Sequence, residues 1–428
     1  MNDSLDVIEG SVVVRNGRIE SVGADPGATH DLTIDAAGAY LLPGFIQTHI
    51  HLCQTLFRGY ADDMPLLEWL KKRIWPMEAA HTPETLRASA RLAATELLLS
   101  GTTTVLTMET VHDTDVVFEE LAETGMRAVI GKCMMDADGD APARMREKTS
   151  ASIDESLALH RRWHNAANGR LRAAFAPRFA ISCSRELLEA VADLSGREDA
   201  LIHTHASENR DEVEVVRRLS GGFSNLEYLA DTGLATHRLC AAHCVWVTDR
   251  EQDLLAERNV KVMHCPGSNL KLGSGIAPVV EMRARGISVS LGADGAACNN
   301  RLDMFEEMRL AATLQAVRRE PGALTARDAL FMATREGARA LGLEQEIGSI
   351  ETGKRADLIL VDRDRPHLAP DPDPWSTLVY GARGTDVRLT MVDGEILVRD
   401  STLQHLDAGA ITAEARTAAA QLIRRAGI

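Results

Sequence analysis

The sequence predicts an α/β protein: a closed (β/α)8 barrel of the TIM type, with a small β-sandwich built from both chain ends. Three observations carry this. The middle of the 428-residue chain alternates eight short β-rich runs with longer segments of helical period. Residues suited to metal ligation stand at the ends of four of those runs, far apart in sequence. Both termini instead alternate with period two around strong turn dipeptides. An open doubly wound sheet is the simpler alternative. Eight near-regular repeats and ligands on distant strands favour the barrel.

The eight candidate strands are 45–51, 102–108, 127–135, 170–176, 200–206, 238–243, 260–264 and 287–294. Helical periodicity marks 67–99, 150–163, 249–257 and 303–315 between them. At the N-terminal end, 11–22 reads as a hairpin around Asn16-Gly17. At the other end, 357–361 and 387–398 alternate likewise, the latter around Asp393-Gly394, and 410–425 is a candidate amphipathic helix. The expected division is a barrel over 44–344 and a composite unit from 1–43 plus 345–428.

Composition narrows the function classes. Hydrophobic content of 45% and charged content of 25% describe an ordinary globular protein able to bury a large core. The net charge of -15 disfavours nucleic acid and anionic membranes, because phosphate binding needs clustered Lys and Arg. No apolar run reaches membrane-spanning length. The start, Met1 to Asp6, has neither the basic residues nor the apolar stretch of a secretory leader, so a cytoplasmic setting is expected. The seven Cys are scattered, without C-x-x-C, and read as free thiols in a reducing compartment. Cys53, Cys133, Cys183, Cys265 and Cys298 lie near strand ends, where packing rather than attack is their expected role.

The chemistry lies at the strand ends, where barrel enzymes place it. The first strand ends in His49-Ile-His51, and side chains two apart share a face. One His-x-His means little, since 14 His in this length give roughly 0.5 by chance. The fifth strand ends in His203-Thr-His205, followed by Glu208. His205 is the better ligand, being nearer the strand end; His203 is expected to pack inside the barrel. The sixth strand ends at His243 and the eighth at Asp294. These four strand ends converge nitrogen and oxygen ligands, and three His plus one Asp suit a single divalent ion, zinc or iron, with a position open for water. The fourth strand ends in Ala-Pro177-Arg178-Phe179, with no Lys to bridge a second metal. H-E-x-x-H and P-C-x-x-C signatures are absent.

Each residue also has a bland reading. A lone His is more often a hydrogen-bonded structural group, and Asp294 a turn or cap. Glu208 can serve the N-terminus of the next helix, Glu78 can be a solvated helix residue, and Arg178 an ion-pair partner. Gln54 can face the cavity or cap a loop. Trp69 and Trp75 flank a segment expected to cover the substrate, with core packing the expected role of both. Joint placement at four strand ends is what outweighs these readings for the ligands.

The chain resembles the amidohydrolase superfamily, in its purine and triazine deaminase branch, over nearly its whole length. Pro43-Gly-Phe-Ile-Gln-Thr-His-Ile-His51 carries the likeness, with 101–104, His205-Ala-Ser-Glu208, 242–244, 268–275, 292–300 and 348–358. The nearest group is the 5′-deoxyadenosine, methylthioadenosine and S-adenosylhomocysteine deaminases, through 58–69, Trp75-Pro-Met-Glu78 and 302–309. The resemblance implies that His49, His51, His205 and Asp294 bind the metal. It implies that His243 holds the attacking oxygen, that Glu208 shuttles a proton to a ring nitrogen, that Glu78 holds ribose hydroxyls and that Arg144 meets the 5′ substituent.

Two departures stand out. The family usually carries Gly-Pro-His after strand four, where this chain has Pro177-Arg178-Phe179. That stretch, with 131–136 and 207–213, resembles guanine deaminases, and Arg178 can donate to a ring carbonyl or to adenine N3. The second is a short N-terminus that leaves out a strand relatives usually carry, so the sandwich is open to being incomplete. The expected activity is metal-dependent hydrolytic removal of the exocyclic amine of an adenosine-type nucleoside, releasing ammonia. The alternatives are a guanine-type base deaminase, a triazine hydrolase, and a non-catalytic metal-binding scaffold. The expected partner is a small purine, with no nucleic acid or membrane, and a symmetric homo-oligomer on general grounds.

Overall fold

A computed structural model describes residues 6–23, 27, 31–36 and 38–428. Residues 1–5, most of the start on which the leader expectation rests, lie outside it. Eight parallel strands form one sheet, taken up in chain order: β4 (Phe45–Ile50), β5 (Thr102–Met108), β6 (Arg127–Met134), β7 (Leu171–Pro177), β8 (Ile202–Ala206), β9 (Leu239–His243), β10 (Lys261–His264) and β11 (Val289–Leu291). Their bounds differ from the expected ones by at most three residues. Residues along these strands are buried on both faces, as in a parallel sheet covered by helices outside and side chains within.

The sheet closes where β4 meets β11. Thr48 Oγ1 donates to the Leu291 carbonyl at 2.9 Å, and the Asp294 N–H donates to the His49 carbonyl at 3.0 Å. Gly292 makes this seam possible: a Cβ there would lie 2.5 Å from the His49 carbonyl oxygen. Gly292→Ala must therefore push β11 from the strand that carries His49 and His51. The expected cost is about 1–3 kcal/mol in stability, the range for overpacking a tight contact. Metal content should fall with it, as denaturant unfolding and elemental analysis of one preparation would show.

Helices pack outside the barrel with local signals at their ends. Pro83–Leu99 begins with Thr82 and Thr85 capping each other's backbone, and Asp249–Glu257 with Thr248 and Glu251 doing the same. The expected helical run 67–99 is not one helix. It breaks into Leu66–Trp69, a π turn at Leu70–Ile74, Trp75–Ala79 and Pro83–Leu99. Pro76 has no N–H to give, and Pro83 is tolerated only at a helix start. The break folds this segment over the barrel mouth.

The chain ends form two antiparallel sheets. β1 (Ser11–Arg15) and β2 (Arg18–Gly23) make a hairpin whose Asn16 and Gly17 both take positive φ, 51° and 77°. The second has the order β15-β14-β13-β12-β3, from Thr402–Leu403, Glu395–Arg399, Val387–Val392, Leu358–Val361 and Tyr40–Pro43. β3 pairs with β12, so residues more than 300 apart share one sheet. A buried Arg127–Asp357 pair, at 2.8 and 3.1 Å, ties this sheet to the N-terminal end of β6. The opposite face of the barrel stays free for chemistry. The C-terminal helix spans Ala408–Ala426. All seven cysteines are free and buried, and among the described residues no helix is long and apolar enough to cross a membrane.

Candidate metal centre and substrate cavity

Five side chains converge at the C-terminal ends of β4, β8, β9 and β11. Asp294 Oδ1 lies 3.4 Å from His49 Nε2 and 3.3 Å from His51 Nε2. His51 Nε2 is 3.3 Å from His205 Nε2. His243 Nε2 is 3.9 Å from Asp294 Oδ2. His49, His51 and Asp294 form one group of nearby ligand atoms, and His49, His205 and His243 another. A tetrahedral ion with ligands at roughly 2.0–2.1 Å would set its donors about 3.3 Å apart, which these separations match. All five side chains are buried, and the Nε2 atoms of His49 and His243 have no hydrogen-bond partner among the described residues. Buried donors aimed at one another without partners are the expected signature of an ion site.

Each ring is held by its other nitrogen. Nδ1 of His51 donates to the Met108 carbonyl at 2.7 Å, and Nδ1 of His205 to the Arg178 carbonyl at 2.8 Å. Nδ1 of His243 donates to Asn269 Oδ1 at 2.9 Å. His49 Nδ1 is 2.7 Å from His203 Nε2. These contacts leave each Nε2 with its lone pair facing inward. Burial favours the neutral form of four of these side chains: His51 is lowered to about 3, His243 to about 4, and His203 and His205 well below the usual value. For Asp294, burial raises the carboxyl, but the surrounding His49, His51 and His243 outweigh it and hold it well below the usual range. Neutral imidazoles around a carboxylate are the protonation states a divalent ion needs.

Backbone strain helps aim the groups. His243 and Asp294 both have positive φ, 72° and 63°, and Ser207 before Glu208 has 52°. Such conformations cost non-glycine residues about 1–3 kcal/mol each and persist where the surroundings impose them. Ser268 Oγ and the Gly295 N–H, each at 2.7 Å, fix the two Asp294 oxygens. Glu208 is not the cap of the helix after β8: Asn209 and Glu212 do that, and Glu212 accepts the Glu208 N–H at 2.7 Å. The Glu208 carboxyl is left 3.5 Å from His243 Nε2, with Oε1 buried and without a hydrogen-bond partner among the described residues. Burial, then the charges of Asp294 and Glu212, push it well above the usual carboxyl value, so it holds its proton.

Glu78 and Arg178 meet in a fully buried ion pair. Both terminal nitrogens of Arg178 bind Glu78, the Nη2–Oε1 contact being 3.1 Å, and Gln54 Nε2 donates to Glu78 Oε1 at 2.9 Å. Burial lowers Arg178, but Glu78 more than offsets it and raises the guanidinium. This pair borders two cavities, one lined by Arg178 and the other by Glu78. On one side Gln54, Trp69, Arg178, Phe179 and Glu208 enclose a cavity with His51, His205 and Asp294. On the other, Glu78, His81, Asp113 and Arg144 line a second cavity that opens outward. Arg144 stands apart from the ligands, half-exposed and 3.5 Å from Asp113.

The structure thus brings together every ligand named from the sequence, with His243, Glu208, Gln54, Arg178 and Glu78 around them. Sequence reasoning missed His203, Ser268, Asn269 and Glu212 as supports. Ser268 and Asn269 lie in a stretch that carried the resemblance, so the signal was present without a role attached to it.

Comparison with known proteins agrees. The model of the "Amidohydrolase family" matches residues 40–397. A 5'-deoxyadenosine deaminase of Methanothermobacter thermautotrophicus is 44% identical, over 98% of this chain and 96% of its own. A 5-methylthioadenosine/S-adenosylhomocysteine deaminase of Symbiobacterium thermophilum is 43% identical, over 99% and 97%. Among solved structures, an adenosine deaminase from Xanthomonas campestris with bound zinc superposes with a TM-score of 0.88 at 34% identity, covering 96% of this chain and 93% of that one. Imidazoles and a carboxylate gathered at a barrel mouth, a family model matched over most of the chain and relatives matched over nearly its full length lead to one statement: this chain belongs to the amidohydrolase family.

Proposed function

We propose that this protein is a hydrolytic deaminase of adenosine-type nucleosides, acting on 5′-deoxyadenosine, methylthioadenosine or S-adenosylhomocysteine. His49, His51, His205 and Asp294 would hold one divalent ion, with zinc the first choice. When bound, that ion supplies a water acidic enough to ionise near neutral pH. Asp294 takes a proton from the water, and His243 orients the oxygen toward C6 of the ring. Glu208 protonates N1, which removes the charge that addition would build there. Asp294 passes its proton to the exocyclic nitrogen, ammonia leaves, and the added hydroxyl returns a proton to Glu208. The product carries a carbonyl at C6 and a proton on N1.

The observation that carries the nucleoside reading is the second cavity behind the Glu78–Arg178 pair. A base beside Glu208 leaves its sugar at Glu78 and its 5′ group at Arg144. A free base would need only the inner cavity. Both terminal nitrogens of Arg178 are engaged by Glu78, which weakens the reading in which they bind a guanine carbonyl. An intact, buried ligand set speaks against a non-catalytic scaffold. Seven buried free thiols support a reducing cytoplasmic setting. The pairing of β3 with β12 supports a barrel over 44–344 and a composite unit from 1–43 plus 345–428.

Ammonia release should be measured over 5′-deoxyadenosine, methylthioadenosine, S-adenosylhomocysteine, adenosine, guanine, 8-oxoguanine and a chlorinated or aminated triazine. Turnover of the adenine nucleosides is expected, lost on chelation and restored by zinc. Turnover confined to guanine-type bases or triazines would sink the proposal, as would full activity in metal-free protein.

A further inference from the structure

We infer that Glu307 is a positioning residue for the proton relay: it clamps the turn after β10 to the turn after β11, and so sets Ser268 against Asp294 and Asn269 against His243. The inference rests on the roles given to Asp294 and His243 above. Glu307 is fully buried near the start of the helix Met304–Arg318. Its two oxygens accept from two different segments. Oε2 takes the Gly267 N–H at 3.1 Å, in the short helix Pro266–Lys271 after β10. Oε1 takes an N–H of the Asn299 amide at 2.7 Å, in the turn after β11. The same Asn299 nitrogen donates to the Ala293 carbonyl at 2.7 Å. Gly267 precedes Ser268, whose hydroxyl donates to Asp294 Oδ2, and Asn269, which accepts from His243 Nδ1. Ala293 shares a peptide bond with Asp294. One arm of the clamp thus ends beside the groups that hold the relay, and the other beside the group that performs it.

An acid near a helix N-terminus ordinarily serves its own helix. Here Asp303 already caps that helix, accepting the Phe305 N–H at 2.9 Å, and Glu306 next to it is partly exposed. Glu307 instead reaches across to the barrel mouth. Burying a carboxyl is costly unless its oxygens are matched, and an apolar residue would fill the same place more cheaply. The packing is close as well. A Cβ on Gly267 would lie 2.6 Å from Glu307 Oε1 and 2.7 Å from Asn299 Nδ2, so carboxylate, amide and turn are pressed together. The groups being held need such support. Asp294 and His243 keep positive φ, 63° and 72°, conformations that persist only where the surroundings impose them. Asp294 must carry a proton from the water to the exocyclic nitrogen, and His243 must hold the oxygen toward C6. Both tasks tolerate little displacement.

The test is a double-mutant cycle in kcat on zinc-loaded enzyme, with a substrate of the ammonia-release screen that the wild type turns over. Glu307→Gln keeps the shape of the side chain but leaves one accepting oxygen, so one arm of the clamp is lost. kcat should fall about 10–100-fold, the usual range for groups that orient a metal-site residue from behind, with KM and zinc content close to those of the wild type. In a Ser268→Ala background the contact that the clamp serves is already gone, and Glu307→Gln should cost about threefold or less. Asn299→Ala cuts the other arm and should reproduce the selective loss of kcat, whether or not Glu307→Gln folds. A residue that merely supports the fold would lower the unfolding midpoint and leave kcat per bound zinc unchanged; that result overturns the inference. Penalties of Glu307→Gln and Ser268→Ala that multiply overturn it too, as does loss of zinc. A wild type that turns over none of the substrates removes the proposed function and this inference with it. Turnover by the wild type with independent penalties removes the Glu307 assignment alone.

Discussion

Glu208→Gln is expected to keep its metal and lose turnover by a factor of about 10²–10⁴, the usual contribution of one general acid–base group. The substitution preserves shape and burial and removes the dissociable proton. The ligands at His49, His51, His205 and Asp294 have their own anchors and do not depend on it. The backbone that carries Glu208 is held by Glu212, so the turn should survive the change. kcat/KM and metal content measured on one preparation decide the matter. Near-normal turnover would remove the proton-shuttle role, and lost metal would make Glu208 a ligand rather than an acid.

Arg178→Met should destabilise the fold by about 3–5 kcal/mol, because Glu78 would stay buried without its cation. The double variant with Glu78→Leu should recover much of that loss, since a buried pair and two apolar groups of similar volume are often close in stability. Denaturant unfolding of the wild type, the two single variants and the double variant measures the coupling. Additive losses would mean that the pair is not coupled. The double variant should also bind adenine nucleosides poorly, for the Glu78 carboxylate would be gone and Gln54 would lose the acceptor that holds it.

Much of the site was legible because strand geometry is simple. A period of two puts His49 and His51 on one face, and barrel strands end at one mouth, so a list of strand ends was already a list of neighbours. Arg178 shows where this stops. Its departure from the family pattern was visible, and an ion pair was among its readings. Nothing in the chain said that Glu78, 100 residues earlier, would be the partner. The 67–99 stretch is a similar case: its periodicity spoke of helix throughout, while the structure places a π turn at Leu70–Ile74 and an interruption before Pro83.

The sequence by itself determined the barrel and named the candidate ligands and the candidate acid beside them, since each rests on local periodicity and on residue type at strand ends. Only the tertiary structure decided which nitrogen of each imidazole faces the centre of the cluster, that Ser268 and Asn269 hold Asp294 and His243, and that one buried ion pair joins the linings of two cavities. Those choices depend on contacts between segments distant in the chain. Burial makes such contacts decisive, because a polar group removed from water must find its partner wherever the fold happens to bring one.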